Sequence, residues 1–331
     1  MRTILAMLAI ILGLCADDAY IQMTGETTQI PTPLTGSLIL SNSIGPLLNF
    51  IVTPNKDGVI CQIPGTYLVF TGLQPATLSR GISGYLDTWF VQNGVPIISS
   101  NDRQYVDEHS RLTLITNATL ISLNQGDVIS TAFLSSRPNI GIKFIQSPLT
   151  SAPESISKPI LPSVTSFVFS AFKIKESGAY AQLASAETQA PLPNTGSFIL
   201  SEPNATLTLG NIVKNFSPPL NGVITCQIGG IYLISTGLQV SALNDKASGY
   251  LDSWYELNNK PITYSNSRGY VNQDSKTSLL VNTFLIRLKE GDQFGIKFLA
   301  SGPDIGIINI AGLPYNEPNI LSFGATLVKI D

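Results

Sequence analysis

From Ser37 to Ile174 apolar and polar positions alternate in short bursts, and almost no stretch carries a helical period. Runs rich in Val, Ile, Leu, Thr, Tyr and Phe occupy 37–41, 47–53, 59–63, 66–74, 84–93, 95–99, 111–123, 127–135, 140–147 and 166–174. Many short strands separated by turn residues predict an all-β sandwich or barrel. Asn93-Gly94 predicts a two-residue type I′ hairpin, because both central positions of that turn need positive φ. The later Asn258-Asn259 tolerates this conformation less easily. Side chains alternate across a strand. In VICQI, Cys61 therefore shares the inward face with Val59 and Ile63 while Gln62 points away, and Cys226 with Ile228 repeats the pattern.

The whole pattern is written twice. AYIQMTGETTQIPTPLTGSLIL from Ala19 is matched by AYAQLASAETQAPLPNTGSFIL from Ala179. CQIPGTY (Cys61 to Tyr67) returns as CQIGGIY (Cys226 to Tyr232), and SGYLDTWF from Ser83 returns as SGYLDSWY from Ser248. Self-similarity over this length is a domain duplication, since solenoid units are much shorter. Three segments are expected: an N-terminal hydrophobic segment at 1–18, a first domain at 19–174 and a second at 179–331, the last two joined by the linker Lys175 to Gly178. Ser166-Phe167 matches Ser322-Phe323 at a smaller spacing, so the first copy carries an insertion in SPLTSAPESISKPILPS. Rich in Pro and Ser, it reads as an exposed loop. Its stretch from Ser147 to Pro159 is the expected ligand surface.

The order GVICQIPGTY before a long strand, the aromatic strand and turn WFVQNG, the step LNQGD (repeated as LKEGD) and the closing TSFVFSAFKI or LSFGATLVKI resemble the globular domain of the C1q/TNF superfamily. The resemblance covers essentially all of both copies. It implies two tandem ten-strand jelly rolls, a non-catalytic binding role and a homotrimer, with the copies either stacked in two tiers or alternating as a pseudo-hexamer. No collagen-like Gly-X-Y stalk precedes the copies.

Composition narrows the function. Charged residues are 12% of the chain and the net charge is −3, so Ser, Thr, Asn, Gln and Gly carry the surface. The clustered basic residues of a nucleic-acid binder are missing. The apolar run from Ile4 to Leu14, followed by Cys15, Ala16 and two acidic residues, resembles a secretory signal peptide. Ala16 suits a cleavage site, whereas Leu14 is a poor small residue two before it; Cys15 leaves a lipoprotein signal open. That apolar run is about ten residues, short of the roughly 20 that span a bilayer as a helix, and no other stretch is long and apolar enough to do so.

Candidate chemistry is sparse. His109 is the chain's single histidine, and Asp274 stands at its place in the second copy. A triad or a His-rich metal site would rest on one unduplicated residue, so His109 reads as a solvated loop residue in YVDEHSR. Cys61 and Cys226 read as core residues, facing inward at equivalent positions and not paired to each other. Asp87 and Asp252 lie beside Trp89 and Trp254, and Arg103 and Arg268 each precede a tyrosine by two. These repeated Asp and Arg residues are either a ligand site or a salt bridge copied by the duplication. Asp127 and Asp292 follow Gly and are expected to brace their turns. No dense Asp/Asn run of a calcium loop is present. The sequons at Asn117, Asn204 and Asn215 matter only along a glycosylating secretory path.

The expectation is a secreted or surface-displayed binding and assembly protein, with no catalytic, metal or cofactor residues assigned, whose partners are its own copies and an unidentified protein or glycan. The alternative is a structural shell component of viral capsid, fibre or spore-coat type. A cupin-like enzyme would need clustered histidines.

Overall fold

In the computed structural model, which describes residues 19–32, 36–108, 115–145, 163–175, 178–192, 194–200, 202–203, 213–272, 277–312 and 318–331, the apolar runs form antiparallel strands. The first half builds two facing sheets. Its front sheet runs, edge to edge, through Ile115–Leu123, Gly65–Leu73, Phe167–Lys173, Tyr20–Gly25 and Ser43–Leu48. Its back sheet runs through Asp102–Val106, Gly84–Gln92, Val128–Ser135, Gly58–Cys61 and Phe50–Val52. In the front sheet no two neighbours are consecutive strands of the chain, and this crossed-over order is that of a jelly-roll sandwich.

The second half repeats the plan. Its front sheet places Thr277–Leu288, Gly230–Ala242, Phe323–Lys329 and Tyr180–Ser185 side by side. Its back sheet places Ser267–Val271 on Gly249–Leu257 and that strand on Gln293–Ala300. Each half has its own apolar core between its sheets: Ile21, Tyr67, Phe90 and Phe169 in the first, Tyr232, Tyr255, Phe294 and Phe323 in the second.

The repeated cysteine phrase closes a turn in both halves. Cys61 and Cys226 are buried and free. Cys61 Sγ donates to Ile63 O at 3.0 Å, and the Tyr67 hydroxyl donates to the same carbonyl. Cys226, Tyr232 and Ile228 repeat the arrangement. Burial first, then the neighbouring thiol, raises both tyrosine hydroxyls above their ordinary value. Ile228 departs from the expected inward face and is exposed.

Several strand bounds differ from the sequence expectation, each for a local reason. The run 47–53 is split at Asn49, which takes a φ of 57° and sends Ser43–Leu48 to the front sheet and Phe50–Val52 to the back. The run 37–41 shortens to Ser37–Leu38, and 95–99 becomes Val95–Pro96 followed by a short 3-10 turn at Ile98–Ser100. Asn93 and Gly94 adopt the positive φ expected of them, and Asn258 and Asn259 adopt it equally, at 53° and 60°.

Two replacements show how the halves diverged. Tyr255 shares a hydrogen bond with Thr236 at 3.1 Å, whereas its counterpart Phe90 leaves the Thr71 hydroxyl without a partner. In the second half buried Glu256 pairs with Lys297 at 3.2 Å and accepts from Trp254 Nε1. Val91 and Ala132 occupy those places in the first half and pack with Trp89 and Leu134. An ion pair in one half and an apolar contact in the other stand at equivalent places, in keeping with the near balance between Coulombic gain and desolvation.

Candidate interaction surface

The Asp and Arg residues singled out in the sequence do meet. Adjacent back-sheet strands place Arg103 opposite Asp87 and Arg268 opposite Asp252. The fork is bidentate in both halves: Nε and Nη2 donate at 2.7 and 2.6 Å to Asp87, and at 2.6 and 2.7 Å to Asp252. Each guanidinium also lies over a tyrosine ring, 5.1 Å from the centroid of Tyr85 and 5.2 Å from that of Tyr250. Tyr105 and Tyr270 pack against those rings. The carboxylate takes two of the guanidinium's N–H donors and the ring lies over its plane, so in both halves the repeated Asp and Arg form an ion pair with each other.

Their surroundings differ. Arg103 keeps 11% of its side-chain exposure, while Arg268 keeps 60%. What covers Arg103 is the second half of the chain. The Gln239 carboxamide takes the Arg103 N–H on Oε1 at 3.3 Å and donates to Arg103 O at 3.2 Å, which clamps the edge strand Asp102–Val106. One residue further, Leu279 N donates to Gln104 Oε1 and Asn101 Nδ2 donates to Pro318 O.

The front-sheet edge of the first half is clamped the same way. Gln182 Oε1 accepts the N–H of Leu120 at 2.7 Å, and its Nε2 donates to Thr119 Oγ1 at 2.7 Å. Around this pair Leu68, Leu120, Phe172, Ile174, Leu233 and Val328 form an apolar cluster drawn from both halves. The contact is edge to face: the open strand edges of the first half lie on the front-sheet face of the second. Asp102 is caught in it, beside Gly237, with its carboxyl pushed by burial from 3.8 up to about 8.

Sequence reasoning passed over Gln182, Gln239 and Asp102. Gln22 and Gln182 recur in the duplicated phrase, and a polar side chain repeated on the outward face of a buried strand was the available signal. The strands Tyr20–Gly25 and Asp102–Val106 went unread because both are rich in polar residues.

The remaining candidates fall to local roles or outside the described residues. Asp127 accepts from Asn124 N at 2.7 Å and from Asn93 Nδ2 at 2.8 Å, joining its turn to the neighbouring hairpin, and Asp292 does the same with Lys289 and Asn258. At Asp127 burial alone would raise the carboxyl, and these hydrogen bonds outweigh it and lower it; at Asp292 the Asn258 bond leads and lowers it. Asn117 is buried and its amide donates to Ser100 O, so this sequon faces inward. Asn215 Nδ2 donates to Gly178 O. His109, Asp274, Asn204, the N-terminal segment and the insertion from 147 to 159 lie outside the described residues. Among the described residues no group of three His, Cys, Asp or Glu could hold a metal, and no helix is long and apolar enough to cross a membrane.

No family model matches the chain, and no curated protein does. Among solved structures it is similar to crystal structures of murine APRIL. The pH 5.0 form matches with a TM-score of 0.31 and 12% identity over 46% of this chain and 99% of that one. The pH 8.0 form matches with a TM-score of 0.30 and 11% identity over the same shares.

Proposed function

We propose that this protein is a secreted or surface-displayed, non-catalytic binding and assembly protein, made of two C1q/TNF-like jelly-roll domains in tandem at 19–174 and 179–331. The observation that carries the reading is the edge-to-face packing of the two halves through Gln182, Gln239 and the Leu68–Val328 cluster. It treats one jelly roll as the binding partner of another, while the repeated Asp and Arg residues are consumed in structural pairs. Three chains with six jelly rolls form the assembly. The lateral intrachain packing favours alternation around an axis over stacked tiers. The ligand is a protein or glycan held by loops, and the signal-like N-terminus supports export.

Light scattering combined with N-terminal sequencing of native material tests this. A trimer starting near Asp17 supports it, and a stable monomer refutes the assembly. A second reading, a structural shell component, is favoured by the apolar side chains Ile44, Leu47 and Leu48 exposed on the edge strand Ser43–Leu48, where chains could tile. Finding Arg2 to Leu14 in the mature protein selects it.

A further inference from the structure

The duplication supplies an internal control for the sheet edges. Two edges of the first half are covered within the chain, and their counterparts in the second half lie open. Leu120 is fully buried where Leu285 is 42% exposed, and Arg268 stands without the cover that Gln239 gives Arg103. A strand edge left open is a place where another strand can pair, and sheets ordinarily guard against it with charges, short strands or covering groups.

The back-sheet edge Ser267–Val271 is open in a specific way. Tyr250 donates its N–H to Ser301 Oγ at 2.9 Å and accepts the Ser301 N–H on its carbonyl at 2.9 Å, both on the side of the strand Gln293–Ala300. In an antiparallel ladder the residue opposite such a position turns its own N–H and C=O away from the pair. Tyr270 lies opposite Tyr250, so its backbone groups point off the sheet, and those of Arg268, two residues before it, do the same. The first half shows what these groups take. At Arg103 they hold the Gln239 carboxamide, whose Oε1 and Nε2 stand in for the C=O and N–H of a residue in an added strand. At Tyr105 the carbonyl takes Gln104 Nε2 at 2.9 Å, and Gln104 Oε1 in turn takes the Leu279 N–H. Carboxamides thus cap that edge. In the second half Gly269 replaces Gln104 and Ser267 replaces Asp102, so the cap and the charge are both gone. Among the described residues no side chain bonds the backbone of Arg268 or Tyr270.

We propose that this edge binds an extended peptide of a partner protein, which adds to the back sheet as one more strand beside Ser267–Val271. In such a mode the main-chain bonds, here to Arg268 and Tyr270, supply the attachment, and alternate side chains supply the choice. Residues directly opposite each other share a face. The peptide residue opposite Arg268 meets a guanidinium that has given two of its N–H donors to Asp252, so an acidic or amide side chain suits it. The residue opposite Tyr270 meets the rings of Tyr270 and Tyr250, which are 48% and 46% exposed with centroids 4.9 Å apart, so an aromatic or β-branched side chain suits it. The partner segment therefore carries an acidic or amide residue two positions from an aromatic or β-branched one. It is distinct from the loop-held ligand of the reading above, and the site needs no second copy of the chain.

The test selects a phage-displayed library of linear peptides on the full-length chain, with counter-selection on Gly269→Gln, which restores the first-half cap. A side chain has room there, since a Cβ on Gly269 would lie 3.5 Å from Val240 Cγ2, an ordinary contact. The strongest binder is then synthesised. It should slow hydrogen exchange at the Arg268 and Tyr270 amides and leave that of Arg103 unchanged. N-methylation of the peptide residue opposite Arg268 should weaken binding about tenfold, the effect of losing a main-chain bond, while N-methylation of the next residue, whose N–H points away, should weaken it about twofold or less. Gly269→Gln should weaken binding about tenfold as well; where that variant does not fold, the two methylated peptides decide alone. A selection that enriches no sequence on the parent chain over the folded variant overturns the proposal. So does a binder that is indifferent to both methylations, or one that leaves the two amides exchanging at the free rate. Amides already protected in the parent, with protection that fades on dilution, overturn it too, because the occupant is then another copy. The trimer of the reading above stands or falls on its own light-scattering test.

Discussion

Replacing Asp102 by Asn should change how stability depends on pH. Asp102 sits between the halves, with its backbone neighbour Arg103 clamped by Gln239 and its carboxyl raised from 3.8 to about 8 by burial. A folded value above the unfolded one means that the native state holds the proton more tightly. Stability is therefore fully present below pH 3.8, falls as pH rises and levels off above about 8. That interval spans about four pH units at about 1.4 kcal/mol each, so the ionised carboxylate costs at most about 6 kcal/mol. Asparagine keeps the shape and cannot ionise.

The assay is urea unfolding of parent and Asp102→Asn chains at pH 6, 7, 8 and 9, with the difference between them cancelling His109 and the terminal amine. Relative to the parent, the variant should gain about 2–3 kcal/mol between pH 6 and pH 9, most of it between pH 6 and 8. Parallel curves would refute the argument, because they would place the carboxyl in water and the junction elsewhere.

Other outcomes follow from comparing the halves. Leu120→Ala should cost about 2–4 kcal/mol in urea unfolding as a buried truncation, while Leu285→Ala costs less than about 0.5 kcal/mol at concentrations where chains are separate. Glu256→Val strands Lys297, which keeps 26% of its exposure, and should cost about 1–3 kcal/mol; adding Lys297→Ala, which copies the Val91 and Ala132 of the first half, should recover most of it in thermal melts. Asp127→Ala should cost about 1–2 kcal/mol at pH 7. Its lowered folded value means that the contribution is present above the unfolded pKa and disappears as acid protonates the native carboxylate, so the stabilities of variant and parent should draw together as pH falls below the ordinary carboxylate range. Cys61 and Cys226 should stay unreactive toward a thiol reagent until denaturant is added.

Much of the fold was legible because a strand sandwich writes itself as alternation. VICQI, the Asn93-Gly94 hairpin and the Asp127 turn took the conformations that local chemistry dictates. The cysteine phrase proved to be core and turn in both halves. What stayed hidden depends on groups far apart in sequence. Asn49 splits one apolar run between two sheets, and nothing in LLNFIVT says which residue takes positive φ. The Asp87–Arg103 pair was visible as a repeat, but not the difference in burial from Asp252–Arg268, since the strand of Arg103 is held by Gln239 and Leu279, more than a hundred residues away. Asp102 could not be foreseen at all, because a carboxylate is costly to bury and only the docking of the halves places it there.

The short tether Lys175 to Gly178 gives the edge-to-face contact a further meaning. Joining two binding modules makes their encounter intramolecular, at an effective concentration in the millimolar range for a short linker. The joint within the chain is therefore insensitive to dilution, whereas a joint between chains obeys mass action. On dilution such an assembly would come apart in whole chains, each keeping its two halves together, and never in single halves.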